Sequence, residues 1–237
     1  MYLVGSSHVR QTVPSAAFDL RREDAPSELA IDAARLFDVA RLFDVAVAAA
    51  ALIFCAPLML LIALMIKLHD GGPVLFAHTR VGRSGRTFKC WKFRTMSVDA
   101  EARLARFLGR DLAARREWAA DHKLRVDPRV TALGARLRTS SLDELPQLFN
   151  VLRGEMSVVG PRPIVQAEIV RYGHAYRYYC AVRPGITGLW QVSGRNDTSY
   201  RQRVALDAFY ARSRSLELDL LIILRTIPAV LLRKGSY

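Results

Sequence analysis

Cysteine is scarce in this chain, which contains only 3 in 237 residues. Cys55, Cys90 and Cys180 are odd in number and form no C-x-x-C pair, so the sequence indicates neither a disulfide framework nor a zinc cluster. The 5 histidines lack the H-x-x-x-H spacing that is typical of metal ligands on a helix. Nothing in the sequence therefore indicates a transition-metal site, and the thiols fit a reducing compartment such as the cytosol.

Charge is absent from residues 45–66, a run of 22 residues. As a helix this run would measure about 33 Å, which is long enough to cross a membrane. Pro57 lies near its middle, where it removes a backbone hydrogen bond and can bend the helix. From these residues alone, a spanning helix and a bent, re-entrant helix both remain open. The acidic segment before the run and the basic segment after it favour the spanning helix.

Signal-peptide features are also missing from the start of the chain, because it lacks a basic region followed by an apolar run and a small-residue cleavage site. Residues 1–34 are instead mixed and acidic, and we predict a flexible tail there.

The hexapeptide Arg-Leu-Phe-Asp-Val-Ala then occurs twice in succession, at residues 35–40 and 41–46. This duplication either extends the helix that leads into the apolar run by almost two turns or has no structural consequence. We favour the second interpretation.

The formal net charge of +13 indicates an anionic partner. A basic surface attracts phosphate-rich ligands, an anionic leaflet or nucleic acid, and charge alone does not choose among them. Nucleic acid is the least favoured partner, since the sequence has no RNP-like, zinc-finger or helix-turn-helix pattern and the apolar run would have no explanation. A non-catalytic membrane protein that binds anionic lipid or recruits partners is a second alternative.

Two adjacent carboxylates, Asp143 and Glu144, occur within the sequence Thr-Ser-Ser-Leu-Asp-Glu-Leu-Pro-Gln. Arginines flank them on both sides, and this combination suits a metal ion bound together with a polyphosphate. The pattern Ser141-x-x-Glu144 is also typical of a helix capping box. Pro146 argues against the simplest capping box, so we predict that a helix starts between residues 142 and 145, with both carboxylates near its N-terminus.

Strand and helix patterns fill the rest of the chain. Residues 74–76 and 87–93 predict short strands, and residues 99–120 predict a helix with an apolar stripe. That helix either lies among lipid headgroups or packs as an ordinary surface helix. Residues 218–232 are apolar but interrupted by an arginine and a proline, which favours interfacial packing over a second span. Six basic residues are close together in the segment at residues 80–94, and we interpret most of them as a solvated face. They are Arg80, Arg83, Arg86, Lys89, Lys92 and Arg94.

The block at residues 139–163 resembles the core of the bacterial sugar transferases, the monotopic polyprenyl-phosphate phosphoglycosyl transferases. The likeness continues through Val-Arg-Pro-Gly-Ile-Thr-Gly-Leu-Trp-Gln-Val-Ser-Gly-Arg-Asn at residues 182–196. Upstream, the matching pieces are Gly-Gly-Pro-Val, Arg-Val-Gly and Lys-Phe-Arg-Thr-Met, at residues 71–74, 80–82 and 92–96. Because these blocks follow one another at family-like spacing, the chain is identified as a member of this family.

The resemblance implies a helix-rich α/β fold with a small sheet, in a monotopic membrane protein. Residues 1–34 would form the tail, and residues 35–68 a membrane helix that is broken at Pro57 and re-enters the cytoplasmic leaflet. Residues 69–237 would form a cytosolic catalytic domain with interfacial helices. This chain has Ala56 before the proline, where many members of the family have serine. The implied location is the bacterial inner membrane, with the catalytic domain facing the cytoplasm.

The resemblance also implies a reaction, the transfer of hexose-1-phosphate from UDP-galactose or UDP-glucose to undecaprenyl phosphate, with release of UMP. Asp143 matches the family's nucleophile, which would form a covalent phosphosugar ester. Glu144 would help Asp143 to hold Mg²⁺. The product would be the first lipid-linked sugar of exopolysaccharide or capsule biosynthesis.

Five basic residues are candidate ligands of the substrate phosphates. Arg138, Arg162 and Arg195 lie in three matching motifs, and the resemblance implies bidentate contacts from them to phosphate oxygens. Lys92 and Arg94 are secondary candidates for the phosphates of the substrate or the lipid. The implied partners are UDP-hexose, undecaprenyl phosphate and inner-membrane lipid, with no nucleic acid. Downstream glycosyltransferases and a second copy of the chain, as a homodimer, are further candidate partners.

Overall fold

A computed structural model describes residues 28–121, 124–194 and 198–231. Residues 1–27 of the predicted tail and Arg195, a predicted phosphate ligand, lie outside these ranges. The described chain is helix-rich with two small sheets, which confirms the predicted content. The strands are β1 (Leu75–Val81), β2 (Thr87–Phe93), β3 (Ser157–Val159) and β4 (Gly185–Thr187). The α-helices are α1 (Glu28–Asp70), α2 (Ala100–Arg110), α3 (Leu112–Asp121), α4 (Ala132–Thr139), α5 (Gln147–Leu152), α6 (Ile169–Tyr172), α7 (Tyr176–Ala181), α8 (Leu189–Val192), α9 (Tyr200–Ser213) and α10 (Leu216–Leu231).

The first helix, α1, carries the whole uncharged run. Among the described residues, its segment Val39–Asp70 is long and apolar enough to cross a membrane. Pro57 lies inside the helix, which continues on both sides of the proline. The helix begins at Glu28, ahead of the predicted start of the membrane segment at residue 35. The break at the proline and the re-entrant path through one leaflet stay predictions.

One face of α1 packs into the core of the protein. Ala48 lies in a buried cluster with Val151 of α5, and Ile66 lies in a second cluster with Phe93 of β2 and Leu137 of α4. Burying such side chains removes apolar surface from water, at roughly 25 cal/mol per Å². The helix that is apolar enough for a membrane is therefore also a structural part of the domain that follows it.

The first sheet is an antiparallel hairpin, in which Leu75 of β1 pairs with Phe93 of β2. The predicted strand at residues 87–93 is confirmed, and the predicted strand at residues 74–76 corresponds to the beginning of β1. The second sheet is a parallel pair, β3 and β4. A Cβ atom on Gly185 would collide with the Gly160 amide nitrogen, so glycine is needed where these two backbones meet.

The helix predicted over residues 99–120 is divided into α2 and α3, so the prediction of a single helix is wrong. Asp111 ends α2 with an extended backbone, at φ −118° and ψ 111°. Its Oδ1 accepts a hydrogen bond from the Ala114 amide at 2.9 Å, as in an N-cap of α3. The Asp111 side chain can cap a new helix, so it favours the end of α2 and the start of α3 over one continuous helix.

Asn150 is buried and joins α5 to β2. Its Oδ1 accepts a hydrogen bond from the Trp91 amide at 3.0 Å, and its Nδ2 donates to the Lys89 carbonyl at 2.7 Å and to Glu155 Oε2 at 2.6 Å. The side chain thus supplies the hydrogen bonds that a neighbouring strand would otherwise supply along this edge of β2. These bonds hold the strand that carries Lys92 against the helix that follows the two adjacent carboxylates.

We expect Asn150→Asp to lower the free energy of unfolding by about 2–4 kcal/mol at neutral pH, because a carboxylate has no donor for the two acceptors that Nδ2 serves. Protonation restores one donor, so the deficit should shrink as the pH falls. Denaturant unfolding of the detergent-solubilised protein at several pH values measures both effects. Leu152→Ala, at the partly exposed end of α5, is the control, and a smaller loss in the Asn150 variant than in this control would contradict the inferred link.

Candidate active site

The two adjacent carboxylates lie on a short turn between α4 and α5. Residues Leu142–Glu144 form a 3₁₀ turn, and α5 begins only at Gln147. Ser141 has a left-handed φ of 58°, and within this described turn its hydroxyl makes no capping bond, so the alternative capping box is not formed. The turn starts inside the predicted interval, but the carboxylates precede α5 instead of lying in its first turn.

Lys92 of β2 and Arg162, which follows β3, both approach the carboxylates. Lys92 Nζ donates to Glu144 Oε1 at 2.6 Å and lies 3.8 Å from Asp143 Oδ2. Arg162 Nη2 lies 3.8 Å from Glu144 Oε1, and its side chain is 43% exposed. The guanidinium can therefore contact a carboxylate and an anion from the cavity together. The structure thus brings together four of the predicted site residues, from three separate segments of the chain.

The two carboxyl groups have different electrostatic surroundings. Asp143 is only 7% exposed, and burial raises its pKa, although the Lys92 charge acts in the opposite direction. Burial also favours the neutral form of Glu144, but the charges of Arg162 and Lys92 and the Lys92 hydrogen bond outweigh it and lower the pKa of Glu144. Adjacent carboxyl groups with pKa values shifted in opposite directions are typical of catalytic sites.

Arg138 and Arg94 occupy different surroundings. Arg138 Nε donates to Thr95 Oγ1 at 2.9 Å, and its charge opposes the rise in the pKa of Asp143. Arg94 Nη1 donates to Asp70 Oδ2 at 2.6 Å, and this pair ties the end of α1 to the residue after β2. The contacts of Arg94 are therefore structural in this arrangement. Phosphate contacts from either arginine stay predictions, and Arg195 lies outside the described residues.

A cavity of about 1030 Å³ opens beside the carboxylates. This volume is at the upper end of the range for small-molecule sites. Asp143 and Glu144 line it together with the cations described above, while α1 contributes Ala51 and α10 contributes Thr226 and Ala229. The same space therefore reaches the charged turn and both strongly apolar helices.

Arg80 also lines this cavity, although its position among several basic residues predicted a solvated side chain. Its Nη1 donates to the Pro163 carbonyl at 3.2 Å and lies 4.0 Å from Glu168 Oε2. Arg80 thus supports the segment that contains Arg162. The available signal was the Arg-Val-Gly block, which matches the family, but the surrounding basic residues made Arg80 hard to distinguish.

A neutral polar wall of the cavity, formed by Thr187, Gln191 and Thr226, was also missed. The hydroxyl oxygens of Thr187 and Thr226 lie 2.7 Å apart, and Thr226 also donates to the Ile222 carbonyl at 2.8 Å. Gln191 Nε2 donates to the Ile186 carbonyl at 3.2 Å, whereas its buried Oε1 has no partner among the described residues. Thr187 and Gln191 lie in a block that matches the family, but nothing in their residue types indicated which side chains face the cavity.

A helix long enough for a membrane, a cavity that reaches this helix, and two carboxylates held among cations are features that a membrane-associated enzyme for phosphorylated substrates would need. The chain belongs to the bacterial sugar transferase family, because the model of that family matches residues 35–233. This match confirms the family predicted from the sequence blocks.

Curated relatives agree with the family. The chain is 52% identical over 186 residues to the exopolysaccharide production protein ExoY of Sinorhizobium fredii, covering 78% of this chain and 82% of the relative. It is 50% identical over 186 residues to the undecaprenyl-phosphate galactose phosphotransferase of Salmonella typhimurium, covering 78% of this chain but only 39% of that protein. It is 45% identical over 190 residues to the UDP-glucose:undecaprenyl-phosphate glucose-1-phosphate transferase of Caulobacter vibrioides, covering 77% of this chain and 66% of the relative. These similarities confirm the predicted class of enzyme, a sugar-1-phosphate transferase.

We expect Lys92→Met to move the acidic limb of the pH–activity profile upward by about one pH unit, because loss of the cation raises the pKa of both carboxyl groups. With higher pKa values, the ionised forms are lost at a higher pH as the solution is acidified. Turnover at the optimum should also fall, by roughly 10–1000-fold.

Initial rates of sugar-phosphate transfer across the pH range measure these effects. Lys92→Arg keeps the positive charge and is the matched control. An unchanged acidic limb in Lys92→Met would contradict the electrostatic role of the lysine.

Proposed function

We propose that this protein transfers hexose-1-phosphate from a UDP-hexose, with galactose or glucose as the sugar, to undecaprenyl phosphate. The products are undecaprenyl-diphosphate-hexose and UMP. One observation supports this proposal most strongly. Asp143 and Glu144 lie beside Lys92 and Arg162, in a cavity that α1 also lines. The names of the Salmonella and Caulobacter relatives support the choice of donor and acceptor.

Asp143 is the proposed nucleophile. One of its carboxylate oxygens attacks the phosphorus atom next to the sugar, and the phosphoanhydride bond to UMP breaks. This step leaves a covalent phosphosugar ester on Asp143. A phosphate oxygen of the polyprenyl acceptor then attacks the same phosphorus, forming a diphosphate bond and releasing the Asp143 carboxylate.

Charge neutralisation is the main catalytic demand of this scheme, because phosphate oxygens would repel the attacking carboxylate. Lys92 and Arg162 lie beside the carboxylates and line the same cavity, where they would contact the diphosphate. Arg138 also lines the cavity, and Arg94 and Arg195 are further proposed phosphate ligands. The ionised form of Asp143 is favoured by the Lys92 charge, which opposes the effect of burial on its pKa.

Asp143 and Glu144 are the proposed ligands of Mg²⁺. Their adjacent carboxylates are the oxygen donors that this hard ion prefers, so the donor set fits. Within residues 28–121, 124–194 and 198–231, no group of three or more histidine, cysteine or acidic side chains could hold a metal. Phosphate oxygens and water would supply the remaining ligands, as is common for Mg²⁺. When bound, the ion would neutralise charge on the transferred phosphate.

The proposed location is the inner membrane, with the site facing the cytoplasm. A soluble UDP-sugar would enter from water, while the acceptor phosphate would lie at the headgroup level. The cavity is lined by residues of both α1 and α10, which suits this meeting of substrates. We retain the domain division at residues 34 and 68 and the re-entrant path broken at Pro57 as parts of the proposal.

The product would pass to downstream glycosyltransferases in exopolysaccharide or capsule synthesis. A homodimer is a further proposed assembly.

Asp143→Asn should abolish UMP release while preserving membrane binding, because the amide is similar in shape but a far weaker nucleophile. The assay contains Mg²⁺, undecaprenyl phosphate and either UDP-glucose or UDP-galactose. Asp111→Asn is the matched control, since an asparagine at this helix cap still accepts the Ala114 hydrogen bond. Without the acceptor lipid, the wild type should release at most one equivalent of UMP per active site.

Turnover by Asp143→Asn would overturn its role as nucleophile. Failure of well-folded wild type across a wider panel of UDP-sugars would favour the non-catalytic membrane protein instead.

Removal of divalent cations with EDTA should abolish transfer, and added Mg²⁺ should restore it. Glu144→Gln should raise the Mg²⁺ concentration needed for half-maximal activity by about tenfold or more, because one anionic oxygen ligand is lost. Activity that persists in EDTA would contradict the metal requirement. The unfolding temperature with and without EDTA separates loss of the ion from loss of the fold.

A further inference from the structure

In the second copy of the duplicated hexapeptide, the arginine and the aspartate both contact the domain that follows α1. Arg41 Nη1 donates to the Val151 carbonyl at 2.6 Å, and its Nη2 donates to the Leu152 carbonyl at 2.9 Å. These are the carbonyls of the last two residues of α5, where the amides of a following helical turn are missing, and the Gly154 amide also donates to the Val151 carbonyl, at 2.9 Å. Arg41 therefore fixes the C-terminal end of the helix that follows the carboxylate turn.

Asp44 binds a different element one turn farther along α1. The residue is only 3% exposed. Ser157 Oγ lies 2.9 Å and 2.8 Å from its two carboxylate oxygens, and the Val158 amide donates to Oδ1 at 2.8 Å. Burial of a carboxylate is costly unless donors compensate it, so these hydrogen bonds define a specific docking contact. Asp44 therefore fixes the beginning of β3, whose C-terminal end leads directly to Arg162.

The two docking contacts serve the two halves of the site. The carboxylate turn immediately precedes α5, and the Arg162 segment immediately follows β3. Glu144 and Arg162 approach within 3.8 Å only if these elements keep their relative positions. Arg41 and Asp44 are three residues apart and lie on the same side of α1, so one helix face holds both elements.

We propose that Arg41 and Asp44 are positioning residues, which fix the carboxylate turn and the Arg162 segment to the membrane helix and thereby set the catalytic geometry. The activity part of this proposal rests on the proposed function. A misplacement of about 1 Å between charged groups can reduce turnover about 100-fold, since such groups act mainly as charge develops in the transition state. Loss of a docking contact should therefore reduce kcat more than it changes the KM for the UDP-hexose.

The first copy of the hexapeptide supplies a matched control. Arg35 and Asp38 stand in the same local sequence, six residues before Arg41 and Asp44. Residues six apart on a helix are about 240° apart around its axis, so the two copies cannot contact the same neighbours in one helix register. Identical substitutions in the two copies should therefore have different effects.

The experiment compares Asp44→Ala with Asp38→Ala, and Arg41→Ala with Arg35→Ala, in the full-length protein in lipid nanodiscs. We expect the Asp44 and Arg41 variants to lose roughly 10–100-fold in kcat with less than about threefold change in KM, and the first-copy variants to match the wild type. Asp44→Asn should recover most of the lost kcat, because its Oδ1 still accepts from the Val158 amide and its Nδ2 can donate to Ser157 Oγ.

Two further measurements keep the proposal testable if Asp44→Ala folds poorly or if the wild type does not turn over. Ser157→Ala removes one donor and should cause a smaller loss of kcat, of several-fold. Hydrogen exchange does not need turnover, and it should become faster at residues 142–147 in the Arg41 variant and at residues 157–163 in the Asp44 and Ser157 variants. Neither segment should change in the first-copy variants.

Equal kcat values for the two copies, or unchanged hydrogen exchange in both segments, would overturn the positioning role. A lower unfolding temperature with unchanged kcat per folded molecule would show that the contacts are structural only. A wild type without UMP release for any donor would instead contradict the proposed function, and hydrogen exchange would still decide the docking role.

Discussion

The proposed reaction depends on keeping two neighbouring carboxylates ionised in a partly buried place. Lys92 compensates this charge most directly, because its Nζ is 2.6 Å from Glu144 and 3.8 Å from Asp143. Adjacent carboxylates repel each other and lose hydration on burial, so cations must be fixed beside them. That need explains why a rigid hairpin carries the lysine and why Asn150 joins the hairpin to α5.

The apolar first helix is part of the same arrangement. Its face toward the domain supplies core residues such as Ala48 and Ile66, and its polar positions Arg41 and Asp44 contact α5 and β3. A helix attached only by a flexible linker would leave the cavity free to move relative to the lipid. Here the cavity is lined directly by α1, so the distance between the charged site and this apolar helix is fixed by packing.

Much of this could be predicted from residues close together in the sequence. The Asp143–Glu144 pair, the uncharged run and the strand at residues 87–93 each have a local pattern, and the ordered blocks indicated the family. The helix over residues 99–120 was predicted without its division, because apolar periodicity outweighed the capping ability of Asp111. Arg80 was missed because it is one basic residue among several, and the Arg-Val-Gly block that contains it does not show that its side chain faces the cavity.

The sequence by itself determined the carboxylate pair and the presence of a helix suited to a membrane, since both depend on residue type and short spacing, and its resemblance to the bacterial sugar transferases determined the class of enzyme. Only the tertiary structure decided which basic side chains meet those carboxylates. Lys92 and Arg162 contact Glu144, whereas Arg94 pairs with Asp70. It also decided that Asp44, in the second copy of an identical hexapeptide, binds β3. Such choices depend on contacts between distant segments, which a short local sequence does not specify.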